Sequence, residues 1–223
     1  FVFGPSGSAL VPLSGDWDGD GQDTAGLYDP ATGAFFLKNA NAPGASDLTF
    51  TFGPGGAGWK AIRGDWNGDG IDSIGLYDPL NGVFFLKNAS SSGPADVAFS
   101  FGPSGSSLVP VTGDWNADGA DSIGLYDPAA GVFFLKNSNA SGPADVTLSF
   151  GPSPSTFVPL AGDWNGDHAD SIGLYDPASG AFYLKNANTP GNADMTFVYG
   201  PAGATPVTGD WNGDGTDTVA VVV

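Results

Sequence analysis

One unit of 49 residues recurs along the chain, and the recurrence limits what the chain can fold into. The tripeptide Gly-Asp-Trp starts at Gly15, Gly64, Gly113, Gly162 and Gly209, at intervals of 49, 49, 49 and 47 residues. Self-similarity at such a period marks an array of small units that bury a core only by stacking on one another. The unit from Gly64 to Thr112 has no helical periodicity. It holds short apolar runs separated by turn residues, which predict four strands. The run before Gly-Asp-Trp, Ser107 to Thr112, is the first strand, and Ser73 to Tyr77 the second. Asp78 to Gly82 (DPLNG) makes a tight turn with Gly at its left-handed end. Val83 to Leu86 is the third strand, and a polar connection, Lys87 to Asp96, leads to the fourth, Val97 to Phe101.

Two details choose among β architectures. Pro110 lies in the first strand, as do Pro12, Pro159 and Pro206 at the same place, and proline in a strand indicates an edge. The third strand, VFFL, is apolar at every position, which predicts cover on both faces. Four antiparallel strands with an edge strand first and cover on both faces describe a β-propeller blade, its first strand lining a central channel. The expected fold is therefore all-β: a five-bladed β-propeller of four-stranded antiparallel blades, one domain spanning residues 1–223. A β-solenoid, with shorter repeats, is the alternative.

The last blade is expected to be unusual. Phe1 to Pro5 (FVFGP) matches a fourth strand and its turn, while Gly209 onward supplies only a loop and a second strand. Residues 1–14 thus complete the last blade and start the first, and this blade, closed by both termini, lacks the FFLKN strand. The chain opens without Met and inside a repeat, as expected for a mature or excised piece of a longer product. Three outcomes follow: the blade is simply short, a longer natural chain supplies the strand, or a neighbouring subunit donates one. An open strand edge is a site for strand addition, and the last outcome predicts association with another protein or self-assembly into a polymer or filament.

Composition narrows the partners. The formal net charge is −18, and all twenty-four acids are Asp. Asp is short, disfavours helix and bonds its own backbone in turns. Sixteen of the twenty-four fall in the five Gly-Asp-Trp loops, so the charge is concentrated rather than spread. Such a surface repels nucleic acid and anionic membranes and attracts cations. There is no Cys, which excludes disulfides and thiolate metal sites. No apolar run is long enough to insert in a membrane and no signal peptide is visible.

Counting from Asp65 in DWNGDGIDS, positions one, three and five are Asp65, Asn67 and Asp69, and position six is Gly70. Alternate residues of a tight loop point inward, so three hard oxygen ligands converge, which favours Ca²⁺. The same positions hold Asp16, Asp18 and Asp20; Asp114, Asn116 and Asp118; Asp163, Asn165 and Asp167; and Asp210, Asn212 and Asp214. An EF-hand needs a bidentate Glu at position twelve, where this chain has Leu27, Leu76, Leu125, Leu174 and Val221. The alternative to a metal cage is an Asx-turn cluster without metal.

The loop resembles the calcium loops of integrin α-subunit propellers and of the related FG-GAP/VCBS repeats of bacterial secreted and surface proteins. The resemblance covers the whole chain, each repeat carrying strand, loop and strand in that order. It implies calcium held by positions one, three and five, a backbone carbonyl at seven and a final carboxylate at nine. This chain departs from that pattern. Position nine is Thr24, Ser73, Ser122, Ser171 or Thr218, and an Asp stands one residue earlier, as Asp23, Asp72, Asp121, Asp170 and Asp217. These five are the candidate last ligands if the loop shifts. Ala117 and His168 replace glycines at positions four and six. His is among the residues more tolerant of the left-handed region. Calcium-stabilised loops in turn imply an extracellular or cell-surface setting.

The remaining candidates are few. Trp17, Trp66, Trp115, Trp164 and Trp211, Tyr28, Tyr77, Tyr126 and Tyr175, and the paired strand aromatics recur in register. They are either core between blades or stacking platforms for carbohydrate, as in a propeller lectin. Trp59, a tryptophan found in one blade alone and beside Lys60 and Arg63, is the separate candidate for ligand binding. Lys38, Lys87, Lys136 and Lys185 follow the third strands and are expected to snorkel outward beside the Asp of the YDP turn. Asn88 and Asn139 open glycosylation sequons. No nucleophile–base set is visible, and the chain is read as non-catalytic.

Overall fold

The computed structural model describes residues 1–5 and 7–223. Its regular elements are all strands, arranged as four four-stranded sheets and one two-stranded sheet in a β-propeller arrangement. The first sheet holds β1 (Val11–Gly15), β2 (Thr24–Asp29), β3 (Ala34–Leu37) and β4 (Leu48–Thr51). The second holds β5 (Lys60–Gly64), β6 (Ser73–Asp78), β7 (Val83–Leu86) and β8 (Val97–Ser100). The third holds β9 (Val109–Gly113), β10 (Ser122–Asp127), β11 (Val132–Leu135) and β12 (Val146–Ser149). The fourth holds β13 (Val158–Gly162), β14 (Ser171–Asp176), β15 (Ala181–Leu184) and β16 (Met195–Val198). The two-stranded sheet pairs β17 (Thr205–Gly209) with β18 (Thr218–Val222). Every pairing is antiparallel and every four-stranded order sequential, and the register is the same throughout: Pro12 faces Leu27 as Pro110 faces Leu125.

The first strands form the inner ring. β1 lies beside β5, β5 beside β9, β9 beside β13, β13 beside β17, and β17 beside β1. Each is an edge of its own sheet, so proline is accommodated there. The ring is tied by Ser14 Oγ donating to the Thr208 carbonyl at 2.6 Å, Thr208 Oγ1 to Ala161 at 2.9 Å and Thr112 Oγ1 to Arg63 at 2.8 Å. It encloses an axial cavity of about 160 Å³.

The core lies between successive sheets. The second strand is its centre: β6 is buried at all six positions. The third strand differs from expectation. Phe84 and Leu86 are fully buried, whereas Val83 and Phe85 are only half-buried. One face packs on the Tyr and Phe of neighbouring strands, with Tyr77 and Phe84 ring centroids 4.5 Å apart. The other is covered from the segment that enters the same sheet, where Trp59, just before β5, stacks on Phe85. The turn after the second strand follows the sequence reading. Gly82 has φ +66° and its N–H donates to the Asp78 carbonyl at 2.8 Å, while Leu80 N–H donates to the Asp78 side chain at 2.9 Å.

The fifth sheet has two strands, not the three expected from joining both termini. Phe1 to Pro5 is not a strand. It nevertheless ends where a fourth strand would: Gly4 (φ +85°) lies against Leu27 as Gly53 lies against Leu76 and Gly102 against Leu125. Phe3 lies 5.5 Å from Lys38 Nζ, as Phe52 lies 5.9 Å from Lys87 Nζ. The segment reaches its place but has no third strand to share a hydrogen-bond ladder with.

Candidate metal loops and the axial acid ring

Each Gly-Asp-Trp loop holds two sets of acids that point to different places. In the outer set, the position-one carboxylate is wrapped by its own loop. Asp65 Oδ1 accepts from Gly68 N–H at 2.8 Å and Asp69 N–H at 3.2 Å, and its Oδ2 from Gly70 N–H at 2.7 Å. Asp16 and Asp210 repeat this pattern, and Asp163 repeats it with His168 in place of a glycine. Asp114 keeps the bonds from Asp118 and Gly119 N–H. Ala117 (φ +57°) and His168 (φ +69°) take the left-handed conformation that glycine takes in the other copies, and His168 N–H still reaches Asp163 at 2.7 Å.

Positions three and five complete the outer set. In four loops the Asn at position three donates to the Asp at position five: Asn67 to Asp69, Asn116 to Asp118, Asn165 to Asp167 and Asn212 to Asp214, at 2.9–3.0 Å. The first loop has Asp18 instead, which cannot donate. Asp16, Asp18 and Asp20 bring one carboxylate oxygen each within 4.8 Å of one another. Slight burial and the charges of Asp20 and Asp16 raise the pKa of Asp18, whereas the hydrogen bond from Asn165 lowers that of Asp167. Among the described residues the first loop is therefore the one with an uncompensated carboxylate trio. Its oxygens are the hard donors that suit calcium. In the other four, the same fit requires the Asn amide to turn its oxygen inward.

The position-eight acids belong to the inner set and leave their own loops. Asp72 N–H donates to the Asp16 carbonyl at 2.8 Å, and Asp16 N–H donates back to Asp72 Oδ2 at 3.1 Å. Asp121 clasps Asp65, Asp170 clasps Asp114 and Asp217 clasps Asp163 in the same way. Asp23 clasps Asp210 and closes the circle, with bonds of 2.8 and 3.1 Å. The reading of these five as candidate last ligands of their own loops thus meets a different placement, each carboxylate bridging to the neighbouring sheet. The clasp also accounts for the Gly of Gly-Asp-Trp. A Cβ on Gly15, Gly64, Gly113 or Gly162 would stand 2.6–2.8 Å from the incoming Asp oxygen, so no larger residue fits without moving backbone. The position-nine hydroxyls turn into the sheet, where Thr24, Ser73, Ser122 and Ser171 donate to the carbonyls of Lys38, Lys87, Lys136 and Lys185.

Arg63 completes the inner set. It stands on β5 at the place held by Ser14, Thr112, Ala161 and Thr208 in the other inner strands, and its Nη1 lies 3.7 Å from Asp72 Oδ2. Burial alone would lower its pKa; Asp72, Asp23, Asp121 and Asp217 outweigh that and raise it. One guanidinium cannot compensate five carboxylates. Burial pushes Asp121 and Asp217 up to about 6, against the pull of Arg63. It raises Asp23 also, and Asp72 and Asp170 well above the ordinary range, with Asp121 and Asp217 adding to the shift at Asp170. Sequence reasoning missed both the ring and its cation. The available signal was that the chain's one arginine breaks the repeat at an inner-strand position.

The other candidates resolve into packing. Trp59 stacks on Phe85, ring centroids 4.7 Å apart and nearly parallel. Phe157 stacks on Tyr183 from the same position, which Leu10, Leu108 and Ala204 fill elsewhere. Trp17, Trp66, Trp115 and Trp164 are buried. The four lysines are buried, not outward. Lys38, Lys87, Lys136 and Lys185 donate to carbonyls seven residues on at 2.9–3.0 Å. The nearest acids to the first three are Asp47, Asp96 and Asp145, not the YDP aspartates. Asn139 Nδ2, the sequon nitrogen, donates to the Asp121 carbonyl at 2.8 Å. No protein-family model matches the sequence, and no curated protein matches it.

Proposed function

We propose that the chain is a non-catalytic structural or adhesive module of the extracellular or cell-surface kind. It is a calcium-stabilised, five-bladed propeller related to the FG-GAP/VCBS repeats, and it associates with copies of itself through the open fifth sheet. The observation that carries this reading is where apolar surface is exposed. Among the described residues eleven large hydrophobic side chains are exposed, and seven are Phe1, Val2, Phe197, Val198, Tyr199, Val222 and Val223. All belong to β18, to the residue after it, to the amino terminus, or to the outer strand of the sheet before it and the residue that follows that strand. Scattered exposure needs no explanation, but a concentrated patch beside an unpaired strand edge is the signature of an association surface.

Calcium in the outer loops would neutralise clustered carboxylates at the seams between sheets. Asp16, Asp18 and Asp20 would hold it in the first loop, and the equivalent Asp-Asn-Asp sets in the others, with the position-eight aspartates retained in their clasps. A sugar-binding reading has less support: the apolar pocket of about 260 Å³ lined by Phe150, Phe157, Leu174 and Tyr183 offers few polar groups to a hydroxyl-rich ligand. Sedimentation velocity over a hundredfold concentration range in calcium tests the proposal. Larger species should grow with concentration and vanish in a Val198→Lys/Val222→Lys variant. A monomer at every concentration, or association indifferent to those lysines, overturns it.

A further inference from the structure

We infer, resting on the reading of the fifth sheet as the association surface, that this sheet is a receptor for one class of extended segment. The segment runs antiparallel to β18 with the pattern small or Val, Phe, aromatic, Leu, Lys, Asn. The four complete sheets define that pattern, because each already holds such a strand in the equivalent slot: AFFLKN, VFFLKN, VFFLKN and AFYLKN.

The slot can be read contact by contact. In the first sheet Gly26 faces Leu37, Leu27 faces Phe36 and Tyr28 faces Phe35. The equivalent residues of β18 are Ala220, Val221 and Val222, since Pro206 faces Val221 as Pro12 faces Leu27. An incoming Leu, aromatic and Phe would therefore meet Ala220, Val221 and Val222. Beyond the Leu, each resident Lys makes three contacts. Its N–H donates to the second strand, as Lys38 does to the Ala25 carbonyl at 3.0 Å. Its carbonyl accepts from the position-nine hydroxyl, as described above. Its ammonium lies over the aromatic ring that ends the preceding sheet, 5.5–5.9 Å from Phe3, Phe52, Phe101 and Phe150.

The fifth sheet presents the matching halves of all three contacts. The Val219 carbonyl takes the place of Ala25. Thr218 takes the place of Thr24 but is exposed, whereas Thr24, Ser73, Ser122 and Ser171 are buried. Tyr199 takes the place of Phe52, Phe101 and Phe150. It is 50% exposed, whereas they are 5–6% exposed. A cation seated on a tyrosine ring is favourable, more so as water is excluded. The same contrast holds along the preceding outer strand. Thr51 N–H and Ser100 N–H each donate to a serine hydroxyl of the next sheet, Ser92 and Ser141, while Val198, their equivalent, is exposed. Main-chain pairing supplies the affinity of an added strand, and alternate side chains its specificity.

The occupant is a segment of a partner chain that carries the pattern outside a finished blade. A folded copy of this chain cannot release one, because Phe35, Phe84, Phe133 and Phe182 are fully buried in their own sheets. Such a segment would occupy β18 in place of a second copy's edge.

The test uses the full chain and a synthetic peptide spanning its own residues 81–91, NGVFFLKNASS. Titration followed by fluorescence anisotropy should saturate at one peptide per chain, and a scrambled peptide should not bind. Tyr199→Ala and Thr218→Val alter exposed side chains and should each weaken binding about tenfold. Replacing the peptide lysine by norleucine should remove most of the Tyr199 effect. Peptide binding should also disperse any self-associated species. No saturable binding, or binding unchanged in both variants, overturns the inference. If the chain self-associates but ignores the peptide, the association reading stands and this inference fails. If the peptide binds a strict monomer, this inference stands and self-association fails.

Discussion

The acids at the start and at the end of one nine-residue loop live in different environments. Asp16, Asp18 and Asp20 sit outside, near water and near one another. Asp23, at the end of the same loop, turns to the axis and clasps Asp210 of the next sheet. The outer acids are wrapped by N–H groups of their own loop and keep lone pairs free for a cation. The inner ones are fixed acceptors for a neighbouring backbone N–H and share one guanidinium. The inner set therefore needs the oxygen atom, whereas the outer set needs the charge. That difference shows how one short motif can both close the ring and present a candidate metal site.

The largest effect should come from the outer set. If calcium fills these loops, each adds stability by mass action, about 1.4 kcal/mol at ten times its Kd, and several loops add together. Calorimetry in millimolar calcium should give a melting temperature well above that in chelator. Equal melting temperatures would leave the outer set as metal-free Asx turns and remove its half of the contrast.

Arg63→Thr comes next. It installs the residue that two other inner strands carry, Thr112 and Thr208, so the backbone position is one that accepts Thr. It leaves five inward carboxylates without their cation, and breaking a buried charge pair in this way costs about 3–5 kcal/mol. Denaturant unfolding in chelator should show the loss. A cost under about 1 kcal/mol would mean that the ring is already neutral at pH 7.

The pH dependence is smaller and opposite in sign to ordinary acid denaturation. Asp121 and Asp217 titrate at about 6 in the folded protein, and near 4 in an unfolded chain. Between those values the folded state binds more protons than the unfolded state, so stability falls as pH rises through the window. In chelator, the melting temperature at pH 5 should exceed that at pH 7.5. Asp29 and Asp167, whose pKa values are lowered, act only below that window. A melting temperature that rises from pH 5 to 7.5 would show the inner ring to be better compensated than Arg63 alone can make it.

Much of this arrangement could be read from the repeat and some of it could not. The third strand Val83–Leu86 appears with the expected bounds, and the turn at Asp78–Gly82 with the expected left-handed glycine. Both are local: a run of apolar residues between turn residues determines its own conformation. Proline in the inner strands likewise gave their edge position. What could not be read lies across sheets. Whether Asp72 faces Asp69 or Asp16 depends on the stagger between neighbouring sheets, about which a nine-residue motif is silent. Lys87 looks like a surface residue until Phe52 and the Pro94 carbonyl are placed beside it by two different connections. The Phe1 to Pro5 segment matched a strand by its residues, but a strand also needs a neighbour to pair with.

The smallest effect makes the sharpest test. Asn at position 170 keeps an oxygen for Asp114 N–H, now accepted from Asp170 at 2.9 Å. It removes a carboxylate that burial and its neighbours Asp121 and Asp217 already hold in the protonated form well above the ordinary range. Asp170→Asn should therefore be close to neutral at pH 5 and stabilising at pH 8, where the native ring must otherwise be charged. The same change in the outer set, Asp69→Asn, should leave the metal-free stability within about 0.5 kcal/mol of the parent, yet reduce the calcium-dependent increase by one loop's share. If Asp170→Asn is instead destabilising at pH 8, the inner acids act through charge after all, and the distinction between the two sets fails.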